Sequence, residues 1–144
     1  MRPMLARVAP ILGVPRVRQA AEYYRDVFGF ELDPIAGVFQ PDPGQSDGVY
    51  GIVNLGNASI HFQYRASFTA PSPTTRGDLE RDAYVYVSDV HGMWERLQEH
   101  AARIIQPLGL APYGIHECTV EDLNGYRICF GQPLDDQAGD KGEA

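Results

Sequence analysis

The stretch LGNASIHF at residues 55–62 recurs as LNGYRICF at residues 123–130. Leucine, isoleucine and phenylalanine keep the same spacing in both copies, and a glycine–asparagine pair stands at the same place in each. A second match aligns Val14 with Val87 at an offset of 87 − 14 = 73 residues, and a helical pattern of apolar residues follows each of them. The chain therefore has the pattern of one structural unit used twice. We expect such a duplicated unit to build its site between the two copies.

The composition limits the classes of function. The chain has 144 residues, of which 44 % are hydrophobic, and a formal net charge of −7, as expected of a single ordinary domain. The acidic balance argues against nucleic acid, which needs a basic protein face. It is compatible with a cationic ligand, although solubility alone would also explain it. Two cysteines imply no disulfide framework.

The sequence also gives no sign of a membrane partner. No apolar run approaches the roughly 20 residues that a membrane-spanning helix needs. Residues 4–14 are apolar but include Arg7 and Pro10, and they lack a cleavage signature, so they make a poor signal peptide. We therefore expect a cytoplasmic protein.

The first half of the chain predicts one strand, one helix and three strands. Residues 7–14 have the pattern of a buried strand, and apolar residues from Val17 to Phe28 then follow at helical spacing. Gly29 stands where a helix-ending glycine is expected. Residues 30–39 predict a strand that Pro34 weakens. After a loop at 40–48, strands at 49–55 and 58–65 flank a tight Gly56-Asn57 turn.

The same order restarts after a polar segment. Residues 83–87 predict a strand, Asp89 is a candidate N-cap for the helix that follows, and residues 103–108 predict a short strand. A final hairpin is expected at 115–121 and 125–130. We therefore assign a first unit at 1–65, a linker at 66–81, a second unit at 82–132 and a disordered tail at 133–144, all in one domain.

The register of that final hairpin can also be predicted. If Glu121 pairs with Tyr126 around the turn, Cys118 falls opposite Cys129. Directly opposed residues of neighbouring strands have Cβ atoms roughly 4.5–5.5 Å apart. We expect the two thiols to lie near each other and to stay reduced in the cytoplasm.

A βαβββ unit present twice in a short acidic chain resembles the vicinal-oxygen-chelate superfamily, which includes glyoxalase I, extradiol dioxygenases, fosfomycin-resistance enzymes and bleomycin-resistance proteins. Residues 22–30 (EYYRDVFGF) are similar to the family's helix end, and residues 120–126 (VEDLNGY) to its hairpin, with Leu123 in place of the usual proline. The resemblance covers residues 7–132. It implies an α+β fold in which two βαβββ units form curled, mostly antiparallel four-stranded sheets around a cavity, in the bleomycin-resistance-like branch.

The resemblance also implies four metal-ligand positions, which fall on Ala9, His61, Asp82 and Cys129. Alanine cannot ligate a metal, and cysteine replaces the family's usual glutamate. In one reading, His61, Asp82 and Cys129 hold a divalent metal with an open fourth position, as in catalytic zinc sites. In the other, the metal site is lost, His61 is a hydrogen-bonding wall residue and Cys129 a small apolar one. We favour the second reading and expect no cofactor.

Strand alternation identifies the side chains that should face the cavity, because successive residues of a strand point to opposite faces. Asp82 is expected on this face together with the predicted ligand-binding residues, which are His61, Gln63, Tyr84, Tyr86, Arg127 and Cys129. By the same rule, at most one of the neighbours His116 and Glu117 can reach it. Such a surface suits a planar or aromatic ligand, although the tyrosines could instead cover a dimer contact.

These features give three functional hypotheses. The leading one is a metal-free homodimer that sequesters an aromatic or cationic small molecule. The second is a metal-dependent lyase, isomerase or dioxygenase with non-standard ligands, in which the metal would stabilise an enolate-type charge. The third is a structural module whose cavity is filled by its own side chains.

Overall fold

The computed structural model describes residues 2–71, 76–77 and 80–135. The chain divides into two compact units, Met1–Thr69 and Ala70–Ala144. Parts of the predicted linker, at 72–75 and 78–79, and most of the predicted tail, at 136–144, lie outside the described residues. Within the described ranges, no helix is long and apolar enough to cross a bilayer.

The first unit is a five-stranded sheet covered by one helix. Its elements are β1 (Ile11–Val14), α1 (Val17–Tyr23), β2 (Glu31–Leu32), β3 (Val38–Phe39), β4 (Tyr50–Leu55) and β5 (Ala58–Tyr64). The strand order is β1-β5-β4-β2, with β3 also paired to β4. β1 runs parallel to β5, and the other pairs are antiparallel.

Helix α1 ends and packs as the sequence predicts. It continues as a π-helical turn over Tyr24–Phe28 and stops at Gly29, whose φ of 84° is left-handed, a conformation that glycine adopts without penalty. The Tyr24 ring lies 4.9 Å from the Phe62 ring, in an edge arrangement. Ile60 and Phe62 are fully buried, so β5 turns its apolar face to the helix. The predicted alternation is confirmed.

The strand predicted at 30–39 is instead two short strands, β2 and β3. A turn separates them, in which the Asp33 carboxylate accepts from the backbone N–H groups of Ile35 (3.0 Å) and Ala36 (2.9 Å). Pro34 contributes no N–H to a strand ladder. An aspartate that bonds its own downstream backbone favours a turn over continued extension.

The second unit is a four-stranded sheet with one helix. It contains β6 (Ala83–Tyr86), α2 (Val90–Glu99), β7 (Arg103–Leu110), β8 (Ile115–Glu121) and β9 (Arg127–Pro133). The order is β6-β9-β8-β7; β6 runs parallel to β9, and the remaining pairs are antiparallel. Two curled sheets with few helices confirm the predicted α+β class.

Side-chain hydrogen bonds set the start of α2 and the end of β9. Asp89 caps α2 as predicted, with its Oδ1 accepting from the Gly92 N–H at 3.0 Å. Strand β9 reaches Pro133, one residue into the predicted tail. The buried Gln132 side chain explains this extension, since it donates to the Ser88 carbonyl (2.6 Å) and accepts from the Val90 N–H (3.1 Å).

The predicted register of the last hairpin is wrong by one residue. Glu121 pairs with Arg127 rather than Tyr126, so Cys118 lies opposite Phe130 and Cys129 opposite Thr119. A shift of one residue moves every side chain to the other face. The two cysteines therefore lie on opposite faces of the sheet.

The turn explains this shift. The Asp122 carboxylate accepts from the N–H groups of Asn124 (2.8 Å) and Tyr126 (3.0 Å), and Gly125 is left-handed with φ of 88°. The Asp122 N–H also bonds the Tyr126 carbonyl at 2.8 Å. The connection is thus a three-residue loop of the kind that places glycine in the left-handed region, not the expected four-residue one.

Candidate functional site

Strands β8 and β9 separate their side chains into two sets. Cys118, Val120, Ile128 and Phe130 are fully buried on the side of α2. The opposite surface, which we call the polar face of the second unit, carries Tyr84, Tyr86, Glu117, Thr119, Arg127 and Cys129. The prediction for His116 and Glu117 is confirmed, because Glu117 lies on the polar face while the His116 ring contacts that of His91, a residue of α2, at 5.5 Å.

Glu117 is the centre of the polar face. Its side chain is 1 % exposed, and its carboxylate accepts from the guanidinium Nη2 of Arg81 (2.5 Å) and the hydroxyls of Tyr84 (2.8 Å) and Tyr113 (2.6 Å). The Gln106 amide adds a longer contact at 3.5 Å. These donors come from the residues before β6, from β6 itself, from β7 and from the loop before β8. The fold therefore brings four separate segments onto one carboxylate.

The charge state of this cluster follows from its contacts. Burial alone would raise the pKa of Glu117, but the hydrogen bonds from Tyr113 and Tyr84 and the charge of Arg81 outweigh it, so the pKa is lowered. Burial and the bond to Glu117 raise the pKa of Tyr84. At neutral pH the carboxylate is ionised and the Tyr84 hydroxyl is a permanent donor.

Gly131 makes the Tyr84 contact possible. It pairs with Glu117 on one side and with Tyr86 on the other. A Cβ atom at position 131 would overlap the hydroxyl and ring of Tyr84. The missing side chain lets the Tyr84 ring cross β9 and reach the carboxylate, which is a typical reason for glycine inside a strand.

Aromatic rings remain exposed beside this buried cluster. The rings of Tyr84 and Tyr86 have centroids 5.0 Å apart and are tilted by 50°. Tyr86 is 65 % exposed and Tyr113 58 % exposed. The polar face thus presents accessible ring surface next to a satisfied ion pair.

The other predicted residues of the second unit are held by internal contacts. The Arg127 guanidinium is buried and bonds Glu121 (3.3 Å) and the Gly77 carbonyl (2.9 Å). Asp82 accepts from the Arg127 N–H (2.9 Å) and from Arg76 Nη1 (3.0 Å). Asp82 is therefore already paired with a cation. A ligand role for Arg127 stays a prediction.

Both thiols have the chemistry of core residues. Cys129 and Cys118 are fully buried. Burial raises the pKa of the Cys129 thiol and raises that of Cys118 to about 12. Since the thiolate is the nucleophilic form, neither cysteine is poised for nucleophilic attack at neutral pH.

The predicted residues of the first unit lie on the face of β5 away from α1. The Tyr50 hydroxyl lies 2.7 Å from His61 Nδ1, and Gln63, which is exposed, pairs with Tyr50 in the ladder. Burial and the nearby charge of Arg7 lower the pKa of His61. The imidazole is therefore neutral at pH 7, with Nδ1 well placed to accept from Tyr50.

The structure adds residues that the sequence analysis did not select. Arg81 was assigned to the linker, and Gln106 and Tyr113 were not singled out as ligands. They line a cleft of about 350 Å³, whose wall also includes Gly109, Leu110, Ala111, Pro112 and Glu117. Glu117 could have been found by strand alternation, whereas nothing local in the sequence marks Arg81.

A second recess lies in the first unit. It has a volume of about 410 Å³ and is lined by Pro15, Arg16, residues 44–49 and Tyr64. Its charged groups, Arg16 and Asp47, are exposed and pair with each other at 3.3 Å. Of the described residues that line it, only Gly48 is buried, so it has no buried polar side chain comparable to Glu117 and is the weaker candidate for a ligand site.

Within the described ranges, no group of three or more histidine, cysteine, aspartate or glutamate side chains is arranged to hold a metal ion. The alternative trio of His61, Asp82 and Cys129 gains no support from its contacts, since Asp82 is paired with Arg76 and Cys129 is a buried thiol. The metal content of the protein stays a prediction.

A family model described as the Glyoxalase/Bleomycin resistance protein/Dioxygenase superfamily matches residues 5–130. The chain belongs to this superfamily. Its match extends over both units, in agreement with the resemblance seen in the sequence. No curated protein sequence matches the chain.

Several solved structures align with nearly the whole chain. TioX from Micromonospora sp. ML1 is 25 % identical, with a TM-score of 0.68, covering 89 % of this chain and 98 % of TioX. The bleomycin-binding protein of Streptomyces verticillus, in complex with copper(II)-bleomycin, is 21 % identical, with a TM-score of 0.62 and coverages of 90 % and 97 %. TnmS3, an antibiotic binding protein from Streptomyces sp. CB03234, is 23 % identical, with a TM-score of 0.58 and coverages of 91 % and 99 %.

Proposed function

We propose that this superfamily member is a metal-free small-molecule-binding protein that holds an aromatic ligand on the polar face of its second unit and breaks no bond in it. One observation carries this proposal. The exposed rings of Tyr86 and Tyr113 accompany a buried cluster in which the Glu117 carboxylate already accepts from Arg81, Tyr84 and Tyr113.

The exposed rings favour an aromatic ligand. Tyrosine offers a large, stiff surface, and aromatic pairs contribute about 0.5–1.5 kcal/mol beyond the area they bury. The hydrogen bonds of Tyr84 and Tyr113 to Glu117 hold both rings in place. A ring whose position is fixed before binding loses little conformational entropy when the ligand arrives.

The state of Glu117 favours binding over acid–base catalysis. A general base needs a lone pair within reach of the proton that it removes. Here Arg81, Tyr84 and Tyr113 occupy the carboxylate, and their combined effect lowers the pKa of Glu117. Such a group is a weak base, and its contacts are those of a residue that orients its neighbours.

Local charge pairing favours an aromatic ligand over a cationic one. The carboxylates of Asp82, Glu117 and Glu121, which could attract a cation, are each bonded to an arginine. The net charge of −7 would still raise the local concentration of cations. Contact recognition inside the site, however, would depend on ring surface and hydrogen bonding.

Two proteins of the same fold support a binding role. The Streptomyces verticillus protein holds copper(II)-bleomycin, and TnmS3 is an antibiotic binding protein. Both align with this chain along nearly their full length. We also propose that this chain forms a homodimer, because the open edges of its sheets would be covered by a second copy.

The proposal is tested by a thermal-shift screen of aromatic compounds, followed by titration of any hit against variants. Tyr86→Ala and Tyr113→Ala should each weaken binding about two- to twelvefold, the equivalent of losing one aromatic contact. Tyr64→Ala is the matched control, because Tyr64 is 50 % exposed and lies in the first unit. Hits that bind both site variants as tightly as the parent, or that weaken equally with Tyr64→Ala, would contradict the proposal.

A further inference from the structure

Arg81 lies at the boundary between the buried Glu117 cluster and the cleft. Its bonds to Glu117 (2.5 Å) and Gln106 (3.0 Å) both leave from Nη2. In residues 2–71, 76–77 and 80–135, no acceptor lies within hydrogen-bond distance of its buried Nε. An arginine has five N–H donors in a fixed fork, and a buried donor without a partner is uncommon. Because this Nε is enclosed by the protein, a ligand can reach Arg81 only through the exposed part of its side chain.

The remaining exposure of Arg81 lies at the cleft. Its side chain is 17 % exposed, and it is one of the lining residues of the 350 Å³ cleft. This volume is within the range of small-molecule pockets, about 300–1,000 Å³. The walls formed by Leu110, Ala111 and Pro112 are apolar, and the Tyr113 ring stands at the edge. A few polar groups, here Arg81, Gln106 and Glu117, set beside apolar walls are the usual pattern for fixing the orientation of a ligand.

The charges that line the cleft disfavour both an anionic and a cationic ligand. The positive charge of Arg81 is balanced by the carboxylate of Glu117 at 2.5 Å, so an anion would meet no net positive charge and would approach a chain of net charge −7. A cation would find the carboxylate already bonded to Arg81 and to two hydroxyls. A neutral acceptor at the exposed part of Arg81 would leave that pairing intact.

We propose that this cleft binds the carbonyl-bearing end of an uncharged aromatic ligand, with the carbonyl oxygen accepting from Arg81 and the aromatic ring lying against Tyr113. The inference rests on the proposed binding function and specifies the ligand class for the same site. It assigns Arg81, Leu110 and Tyr113 as the residues that determine specificity.

Four probes of nearly equal shape separate the contribution of the carbonyl acceptor from that of ligand charge. They are 2-acetylnaphthalene, a neutral ketone; 2-isopropylnaphthalene, which lacks the acceptor; 2-naphthoate, an anion; and 2-naphthylmethylammonium, a cation. Calorimetric titration of the unaltered protein should show the ketone binding about fivefold or more tightly than the isopropyl compound, the equivalent of one net hydrogen bond. It should also bind more tightly than either ion. Tighter binding of an ion, or equal binding of ketone and hydrocarbon, would overturn the inference while leaving aromatic binding intact.

Two variants then test whether Arg81 donates the hydrogen bond to the ketone. Arg81→Lys keeps the positive charge beside Glu117 but removes the planar fork, so it should weaken the ketone about fivefold and leave the isopropyl compound unchanged. Equal weakening of both probes would show that Arg81 only supports the structure, and would overturn the assignment. Leu110→Ser, at an exposed wall position, should weaken both probes. If no probe binds the unaltered protein at millimolar concentration, the proposed function fails and this inference fails with it.

Discussion

Replacement of Arg81 by methionine should lower the free energy of unfolding by about 3 kcal/mol at pH 7, because it leaves a buried carboxylate without its cation. The pair is well shielded, with side chains 17 % and 1 % exposed for Arg81 and Glu117. Removing one partner of a buried pair costs about 3–5 kcal/mol. We take the lower end because Tyr84 and Tyr113 still donate to Glu117 in the variant.

This loss is measurable by thermal unfolding followed by circular dichroism. An unfolding entropy of about 2.1 cal/mol/K per residue gives about 0.3 kcal/mol/K for a chain of this length. A loss of 3 kcal/mol therefore corresponds to a fall in Tm of about 10 °C. Arg16→Met is the matched control, because Arg16 pairs with Asp47 in an exposed ion pair, and such pairs contribute little.

The pH dependence distinguishes lost charge pairing from lost packing. In the parent protein the pKa of Glu117 is lowered, so its contribution to stability is complete above the unfolded pKa near 4.5 and disappears as the pH falls through the folded value. In Arg81→Met, burial should raise that pKa, so the destabilisation is greatest at pH 7 and is relieved by acid. The stability gap should therefore shrink between pH 7 and pH 4.5, and Glu117→Gln in the same chain should recover much of it.

Two results would refute this reasoning. The first is a loss below 1 kcal/mol for Arg81→Met at pH 7. The second is a gap between parent and variant that stays constant from pH 7 to pH 4.5. Either would mean that Arg81 does not neutralise Glu117 in the folded protein.

Four further outcomes are expected. Gly131→Ala should lower Tm and weaken ligand binding together, since its Cβ displaces the Tyr84 ring; unchanged binding in a folded variant would contradict the role given to this glycine. Protein purified without chelator should contain no stoichiometric metal by elemental analysis, and one transition metal per chain that His61→Ala removes would favour the enzyme hypothesis. Light scattering at micromolar concentration should give the mass of a dimer, and a monomer mass would count against it. Cys118 and Cys129 should react with a thiol reagent at rates limited by unfolding and should not cross-link under mild oxidation, because they lie buried on opposite faces; rapid native labelling or a disulfide would disprove that placement.

Local sequence signals predicted most of the fold. The helical spacing before Gly29, the Gly56-Asn57 turn and the Asp89 cap each depend on residues close together in the chain, and each is found in the structure. Period-two alternation also placed Tyr84 on its face and separated His116 from Glu117 without deciding which of them faces the site, because a strand that is buried on one side fixes the direction of every side chain.

The sequence predictions failed where a local pattern was compatible with two turn structures, or where two interacting residues lie far apart in the chain. A glycine in the last turn was compatible with either a four-residue or a three-residue loop, and the left-handed Gly125 with the bonds of Asp122 selects the shorter one. Arg81 lies 36 positions from Glu117. No spacing rule connects such residues, so the ion pair at the centre of the candidate site was invisible in the sequence.

The separation of buried from exposed side chains in the second unit's sheet affects how this protein can evolve to bind a new ligand. Positions such as Val120, Ile128 and Phe130 serve the interior, whereas Tyr86 and the cleft residue Leu110 are exposed and make no contribution to the packing beneath the helix. Selection for a new ligand can therefore act on exposed positions while the residues that stabilise the fold stay constant. The same separation offers a protein engineer a set of positions to randomise, with Glu117 and Arg81 kept as the fixed support beneath them.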